Sequence, residues 1–238
     1  MTETLFIPPR PLATETDLPS GGPAIDQALM NELAPRTVLA SAEEYVDPYL
    51  ATPRGVTGTL HGYTQVYEYT NAHFGHLDIA EGNKCGPAAA LTASFWQTRT
   101  KATRSQFRRF TNWFDLGPDL GPFGTSPDYI RVLLNRMSVP FNTERYGSTA
   151  RKIEGIKTRV RNGRPCLVLI DWRSGFTAHW AIVFAYDDES MFLTNDAASG
   201  RTFTNMTDYF DGAIALASPV FVLGQITQSL PASTGGFA

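Results

Sequence analysis

The sequence is poor in cysteine, in long apolar stretches and in targeting signals, and each shortage excludes a class of protein. With only two cysteines, Cys85 and Cys166, the chain has no framework of disulfide bridges. No stretch approaches the roughly 18 apolar residues of a membrane-spanning helix. The start, MTETLFIPPRPLATETD, has no basic segment leading into an apolar one, as a secretory signal would. We therefore expect a soluble, cytoplasmic protein without a membrane span, and signal-independent export stays open.

An excess of basic residues is also missing. The formal net charge is −3, so we predict no nucleic-acid partner. The charge is nevertheless uneven, because residues 1–58 carry three basic and eight acidic side chains, whereas residues 99–164 carry fourteen basic and five acidic ones. We interpret these regions as solvated faces of opposite sign. The alternative hypothesis is that the acidic segment docks on the basic region and covers a groove.

The chain is long enough for one sizeable core with a small appendage, since 42% of its 238 residues are hydrophobic. Residues 1–23 are rich in Pro, Thr and Gly without periodicity, and short helical patterns follow at 24–34 and 41–50. We predict an N-terminal arm over residues 1–58, a candidate pro-segment or regulatory segment. The remaining residues, 59–238, form one predicted domain.

Helical patterns dominate the middle of the chain, and strand patterns dominate its C-terminal half. Helices are predicted after Cys85 and over residues 104–116, 126–137 and 149–162. Strands are predicted for the alternating residues 57–70 and for RPCLVLIDW, HWAIVFAYD, SMFLTND and PVFVLGQI. Helices followed by strands indicate an α+β fold, with a helical half packed on an antiparallel sheet.

Cys85 opens the apolar segment CGPAAALTASFW. Pro87 suits the first turn of a helix, because its missing N–H would have no partner there. The thiol would then lie at the positive end of the helix dipole, where a cysteine pKa of about 8.5 falls and a thiolate nucleophile is favoured. A small core residue is the alternative interpretation of Cys85. Cys166 stands inside an apolar strand, and we assign it to the core.

A predicted hairpin brings a base and a carboxylate together. His179 begins one strand and Asp196 ends the next, with a turn at residues 187–190 between them. In an antiparallel pair the start of the first strand lies beside the end of the second. The sequence therefore predicts a contact between His179 and Asp196, and approach of Cys85 would complete the groups of covalent acyl transfer. Taken singly, His179 also fits a packed strand histidine and Asp196 a turn cap.

His73 and His76 form a His-x-x-His pair, a spacing that can chelate zinc. No further cysteine, histidine or carboxylate stands at a tight ligand spacing. We therefore interpret both histidines as structural and predict no metal site.

The motifs KCGPAAALTA, GTSPDYIRVLLNRM, NGRPCLVLIDW, AHWAIVFAYDDESMFLTND and DYF follow one another from about Gly82 to Phe210. Together they resemble the papain-like cysteine peptidases, most closely the C39-like peptidase branch, in which cysteine, histidine and aspartate come in the same order. The resemblance implies a papain-like fold. It also implies that Cys85 is the nucleophile, His179 the general base and Asp196 the third member of the triad.

The glutamine that serves this family as an oxyanion-hole donor is missing. In the family it stands five or six residues before the cysteine, where this chain has Ala80 and Ile79. Loss of one oxyanion donor costs about 10²- to 10³-fold in rate. The candidate replacements are Asn83, which we favour, the Cys85 backbone N–H, Gln65 and His76.

The resemblance implies a thiol hydrolase that cleaves a peptide or amide bond through an acyl-enzyme on Cys85, with no metal or organic cofactor. Two alternatives use the same triad. One is a peptidoglycan amidopeptidase, delivered as a toxin and antagonised by an immunity protein, and the other is an acyltransferase. The missing glutamine motivates a third interpretation, a catalytically degenerate binding module.

Overall fold

The computed structural model of the protein describes residues 44–79, 84–114, 125–172, 177–194, 202–203 and 206–226, and gives only the backbone of 110–114, 172, 177 and 202–203. Its helices are α1 (Asn71–His76), α2 (Cys85–Thr98), α3 (Arg104–Phe114), α4 (Pro127–Arg136), α5 (Thr149–Arg161) and α6 (Ala213–Ala217). Its strands are β1 (Tyr49–Ala51), β2 (His61–Gly62), β3 (Val66–Glu68), β4 (Phe141–Glu144), β5 (Cys166–Trp172), β6 (Thr177–Tyr186), β7 (Met191–Leu193), β8 (Thr202–Phe203) and β9 (Val220–Leu223). No helix in the described ranges is long and apolar enough to cross a membrane.

One antiparallel sheet forms the centre of the described fold. Its strand order is β4, β9, β5, β6, β7, β8, and β2 pairs with the end of β6. β1 and β3 form a separate two-stranded antiparallel sheet. The combination of helices with an antiparallel sheet confirms the predicted α+β class.

The sheet is covered on both faces, which explains the continuous apolar runs in its central strands. Along β5, Leu167 and Leu169 pack in a cluster with residues of α2 and α4, whereas Val168 and Ile170 pack in a second cluster with α5 and α6. Cys166 belongs to the second cluster and is fully buried. Its assignment to the core is therefore confirmed.

The turn between β6 and β7 is built on one buried carboxylate. Asp187 accepts hydrogen bonds from the backbone N–H groups of Glu189 (2.9 Å) and Ser190 (2.7 Å). It also accepts one from Thr57 N–H at 2.7 Å, which ties the N-terminal part of the chain to the hairpin. The turn predicted at this position is confirmed.

α4 begins as the sequence predicts. The Ser126 hydroxyl accepts a hydrogen bond from the Tyr129 N–H at 3.3 Å, and Pro127 takes the first helical position. Asp128 lies in the first turn, where a negative charge is stabilised by the positive end of the helix dipole. It also forms an ion pair with Arg131 at 2.9 Å. The N-terminus of α4 is therefore determined by its own residues.

Two N-terminal predictions are corrected. The helix predicted over residues 41–50 is wrong in the described part, where Tyr49 opens β1 and Tyr45 bridges to Thr103. Pro48 explains the difference, because it disfavours helical backbone at the residue before it and donates no hydrogen bond. The single strand predicted over residues 57–70 is instead the two short strands β2 and β3.

The pairing of β1 with β3 joins the two segments that the sequence analysis separated. Leu50 lies opposite Tyr67, so residues on the two sides of position 58 hydrogen-bond in one sheet. The division into an arm over 1–58 and a domain over 59–238 stays a prediction.

Candidate active site

Cys85 is the first residue of α2, as its sequence context predicts. The first helical hydrogen bond runs from the Ala88 N–H to the carbonyl of the N-cap residue Lys84 at 3.0 Å, and Pro87 has no N–H to offer. The N–H groups of Cys85 and Gly86 thus precede the helical ladder. They lie against the Cys85 thiol and lower its pKa.

The thiol also meets the strand that carries His179. The Trp180 backbone N–H, from the residue directly after His179, makes a hydrogen bond that lowers the pKa of the Cys85 thiol. The predicted catalytic group requires Cys85 to lie close to β6 in the folded protein. The structure thus brings the helix N-terminus and the start of β6 together.

The thiol lies at the edge of β6 that faces β7. At Ile182, both backbone groups point to β7, since its carbonyl accepts from the Thr194 N–H (3.0 Å) and its N–H donates to the Thr194 hydroxyl (3.1 Å). Trp180 lies two residues earlier and points its N–H to the same edge. The described part of β7 has Leu193 as its last strand residue, and the Trp180 N–H makes a hydrogen bond to the thiol.

Burial dominates the electrostatics of Cys85. The residue is only 6% exposed, and this burial raises the pKa of its thiol above the ordinary value. The three backbone N–H groups act in the opposite direction and do not overcome it. The sequence-based expectation of a lowered pKa considered the helix dipole alone, and burial between α2 and β6 reverses the direction.

His179 lies near the start of β6, opposite Ile170 of β5, and its side chain is partly buried. Asp196 and Asn83 lie outside the described residues. The contact between His179 and Asp196 and the oxyanion role of Asn83 therefore stay predictions. The described part of the hairpin, with Thr194 beside Ile182, runs in the direction that the first of these predictions requires.

Two other oxyanion candidates are at the surface. Gln65 is exposed just before β3, and His76 is exposed with its Nδ1 2.9 Å from the Tyr49 hydroxyl. The described backbone N–H groups at the thiol are those of Cys85, Gly86 and Trp180. Among the sequence candidates that lie in the described ranges, the Cys85 backbone N–H is the one placed at the thiol.

Thr125 is the residue that sequence reasoning missed. Its carbonyl accepts a hydrogen bond from the Trp180 indole at 2.6 Å, and a Cβ added to Gly86 would lie 2.4 Å from its hydroxyl oxygen. Thr125 therefore contacts both elements that hold the thiol. The sequence carries no signal for this role, because a threonine one residue before a serine helix cap is ordinary.

Of the two histidines in the His-x-x-His pair, His73 uses its ring nitrogens in hydrogen bonds within the protein. His73 is buried, its Nδ1 accepts from the Thr70 N–H at 2.9 Å, and its Nε2 lies 3.1 Å from the Asp47 carbonyl. Burial lowers the pKa of His73, which favours the neutral ring. Both ring nitrogens are thus used within the protein, so His73 is structural, as predicted.

Protein-family models and curated proteins were compared with this chain. Neither comparison finds a match. The resemblance to the C39-like peptidases therefore rests on the motifs quoted above and stays a prediction.

Proposed function

We propose that the protein is a thiol hydrolase with a papain-like fold, which cleaves a peptide or amide bond through an acyl-enzyme on Cys85. One observation carries this proposal. The Cys85 thiol, at the N-terminus of α2, lies against the backbone N–H of the residue that follows His179. A cysteine at a helix start beside a strand with histidine at its beginning is the arrangement that the resemblance implies.

The proposed reaction uses three side chains in distinct roles. His179 takes the thiol proton, and the Cys85 thiolate attacks the carbonyl carbon of the scissile bond. The imidazolium then gives its proton to the leaving amine, and Asp196 holds the imidazole in the required tautomer. Water completes the cycle by hydrolysing the thioester. The reaction needs no cofactor.

The raised pKa of Cys85 determines what the imidazole must do. A buried thiol in backbone contacts alone is protonated at neutral pH, so the thiolate requires a cationic partner. In the proposed enzyme this partner is the His179 imidazolium. Removal of His179 would then leave the thiol with the weak acidity that its burial dictates.

Alkylation of Cys85 as a function of pH tests the proposal. In a Cys166→Ser background, we expect iodoacetamide to react with a midpoint below about 8.5, and the midpoint to rise when His179 is replaced by alanine. Cys85→Ala provides the unreactive control. A slow thiol whose pH profile ignores His179 would contradict the catalytic assignment.

A second function, that of a catalytically degenerate binding module, is favoured by the burial of the nucleophile. A thiol that is 6% exposed and has a raised pKa is what a small core cysteine would show. The same alkylation experiment separates the two functions. Under this alternative, His179→Ala changes neither the rate nor its pH midpoint, and a screen for binding partners replaces a screen for substrates.

A further inference from the structure

The Thr125 hydroxyl is buried and finds no hydrogen-bond partner among the described residues. Thr125 is 3% exposed, and its Oγ1 has no hydrogen-bond partner in the part of the chain that the structure describes. Buried hydroxyls are normally hydrogen-bonded, because an unpaired one loses its bonds to water without replacement. An unpaired hydroxyl kept in a core therefore points to a ligand that is bound only at some stage of function.

The Thr125 hydroxyl lies beside the proposed nucleophile. The Thr125 Oγ1 lies 2.4 Å from where a Cβ on Gly86 would begin, so it packs against the first turn of α2, next to Cys85. Its own backbone carbonyl is held by the Trp180 indole. Trp180 also supplies a backbone N–H to the thiol, which makes Cys85, Gly86, Thr125 and Trp180 one buried cluster.

If an acyl group is carried on the Cys85 sulfur beside this cluster, its carbonyl oxygen is the acceptor that the Thr125 hydroxyl lacks. When a thiolate adds to a carbonyl carbon, negative charge develops on the oxygen, and hydrogen-bond donors aimed at it stabilise the transition state. The Cys85 backbone N–H is one donor at the start of α2. The side chains at positions 79 and 80, isoleucine and alanine, offer no second one.

We propose that the Thr125 hydroxyl is the second oxyanion-hole donor of this site. The inference rests on the proposed function of Cys85 as an acyl acceptor. The carbon–sulfur bond forms as the carbonyl π electrons move to oxygen, and the oxyanion accepts hydrogen bonds from the Thr125 O–H and the Cys85 N–H. Its collapse restores the carbonyl and breaks the bond to the leaving group, which departs with the bonding electron pair.

The test compares two reactions of the same sulfur. Acylation by p-nitrophenyl acetate, followed through p-nitrophenolate release, passes through an oxyanion. Alkylation by iodoacetamide is a substitution at saturated carbon and forms no oxyanion. Thr125→Val keeps the shape and the carbonyl that holds Trp180 but removes the O–H, and Thr125→Ser keeps the O–H. Cys85→Ala gives the background rate.

For Thr125→Val we expect acylation to slow by about 10²- to 10³-fold, with alkylation unchanged and Thr125→Ser close to wild type. The thermal midpoint of Thr125→Val should stay the same or rise, since an unpaired polar group leaves the core. Equal acylation of the valine variant and wild type would overturn the proposal, as would an equal slowing of both reactions. If wild type acylates no faster than Cys85→Ala, the proposed function itself fails.

Discussion

At the scale of single residues, the position of the Cys85 thiol was predictable from the sequence and its pKa was not. The prediction that Cys85 lies at the start of a helix is confirmed, because the preference of proline for the first turn is a local property of the sequence. The raised pKa was missed, because the sulfur is buried in a core cluster whose members, Trp180 among them, come together only in the tertiary fold. Thr125 was missed for the same reason.

Gly86 is predicted to be required by its contact with Thr125. In Gly86→Ala, the new Cβ would lie 2.4 Å from the Thr125 Oγ1 and 2.6 Å from its Cβ, distances that force a neighbour to move. We expect the free energy of unfolding to fall by about 1–3 kcal/mol, although alanine is the better helix former. Urea denaturation measures the change.

Gly147→Ala is the matched control, because nothing lies within 4 Å of a Cβ at Gly147. Its free energy of unfolding should change by less than about 0.5 kcal/mol. Equal stability of the Gly86 and Gly147 variants would show that the first turn of α2 moves away from Thr125 at little cost.

At the scale of helices and strands, long periodic segments were predictable and short ones were not. The apolar runs that became β5 and β9 and the capped helix α4 follow from their own residues. α6 has only five residues and is held from outside, since the Lys152 ammonium of α5 donates hydrogen bonds to the carbonyls of Ala215 and Ser218, the latter at 2.9 Å. No pattern in the residues of α6 predicts this helix.

Lys152 is predicted to make stability depend on pH. It is fully buried, with the Phe210 ring 5.0 Å from its Nζ, and burial lowers its pKa from 10.5 to about 7, against the favourable charge of Asp171. Between these two pH values the unfolded chain binds the proton and the folded chain does not. The free energy of unfolding should therefore rise between pH 7 and pH 10.5, by on the order of a few kcal/mol.

The rise should be absent in Lys152→Met, and the difference between the two proteins isolates this group from the tyrosines that titrate in the same range. Lys157→Met is the control on the same helix, because Lys157 is only partly buried and lies over the Tyr186 ring, with its Nζ 5.5 Å from the ring centroid. Urea denaturation at several pH values gives the slopes. If the free energy of unfolding of Lys152→Met changes with pH as steeply as that of the wild type, Lys152 stays charged in the folded protein.

At the scale of the whole molecule, the α+β class was predictable because apolar patterning alone separates helices from strands. The place of residues 44–58 was not, because their contacts are with distant partners. The Val46 N–H donates to the Ala102 carbonyl at 2.8 Å, the Tyr69 hydroxyl donates to the Val46 carbonyl at 3.0 Å, and Ala51 is buried at 1% exposure. A segment that supplies such contacts is a structural part of the body on which the site is built.

Deletion of residues 1–58 is therefore predicted to destabilise the protein, whereas deletion of residues 1–43 removes none of the described contacts. The longer deletion removes β1 and takes one hydrogen bond each from Tyr69, His73 and Asp187, and each of these bonds contributes on the order of 1 kcal/mol. We expect urea denaturation to show that the longer deletion is less stable than the shorter one by several kcal/mol. If both deletions unfold like the full chain and Cys85 alkylates equally in all three, residues 44–58 are a dispensable arm and the boundary predicted at position 58 is right.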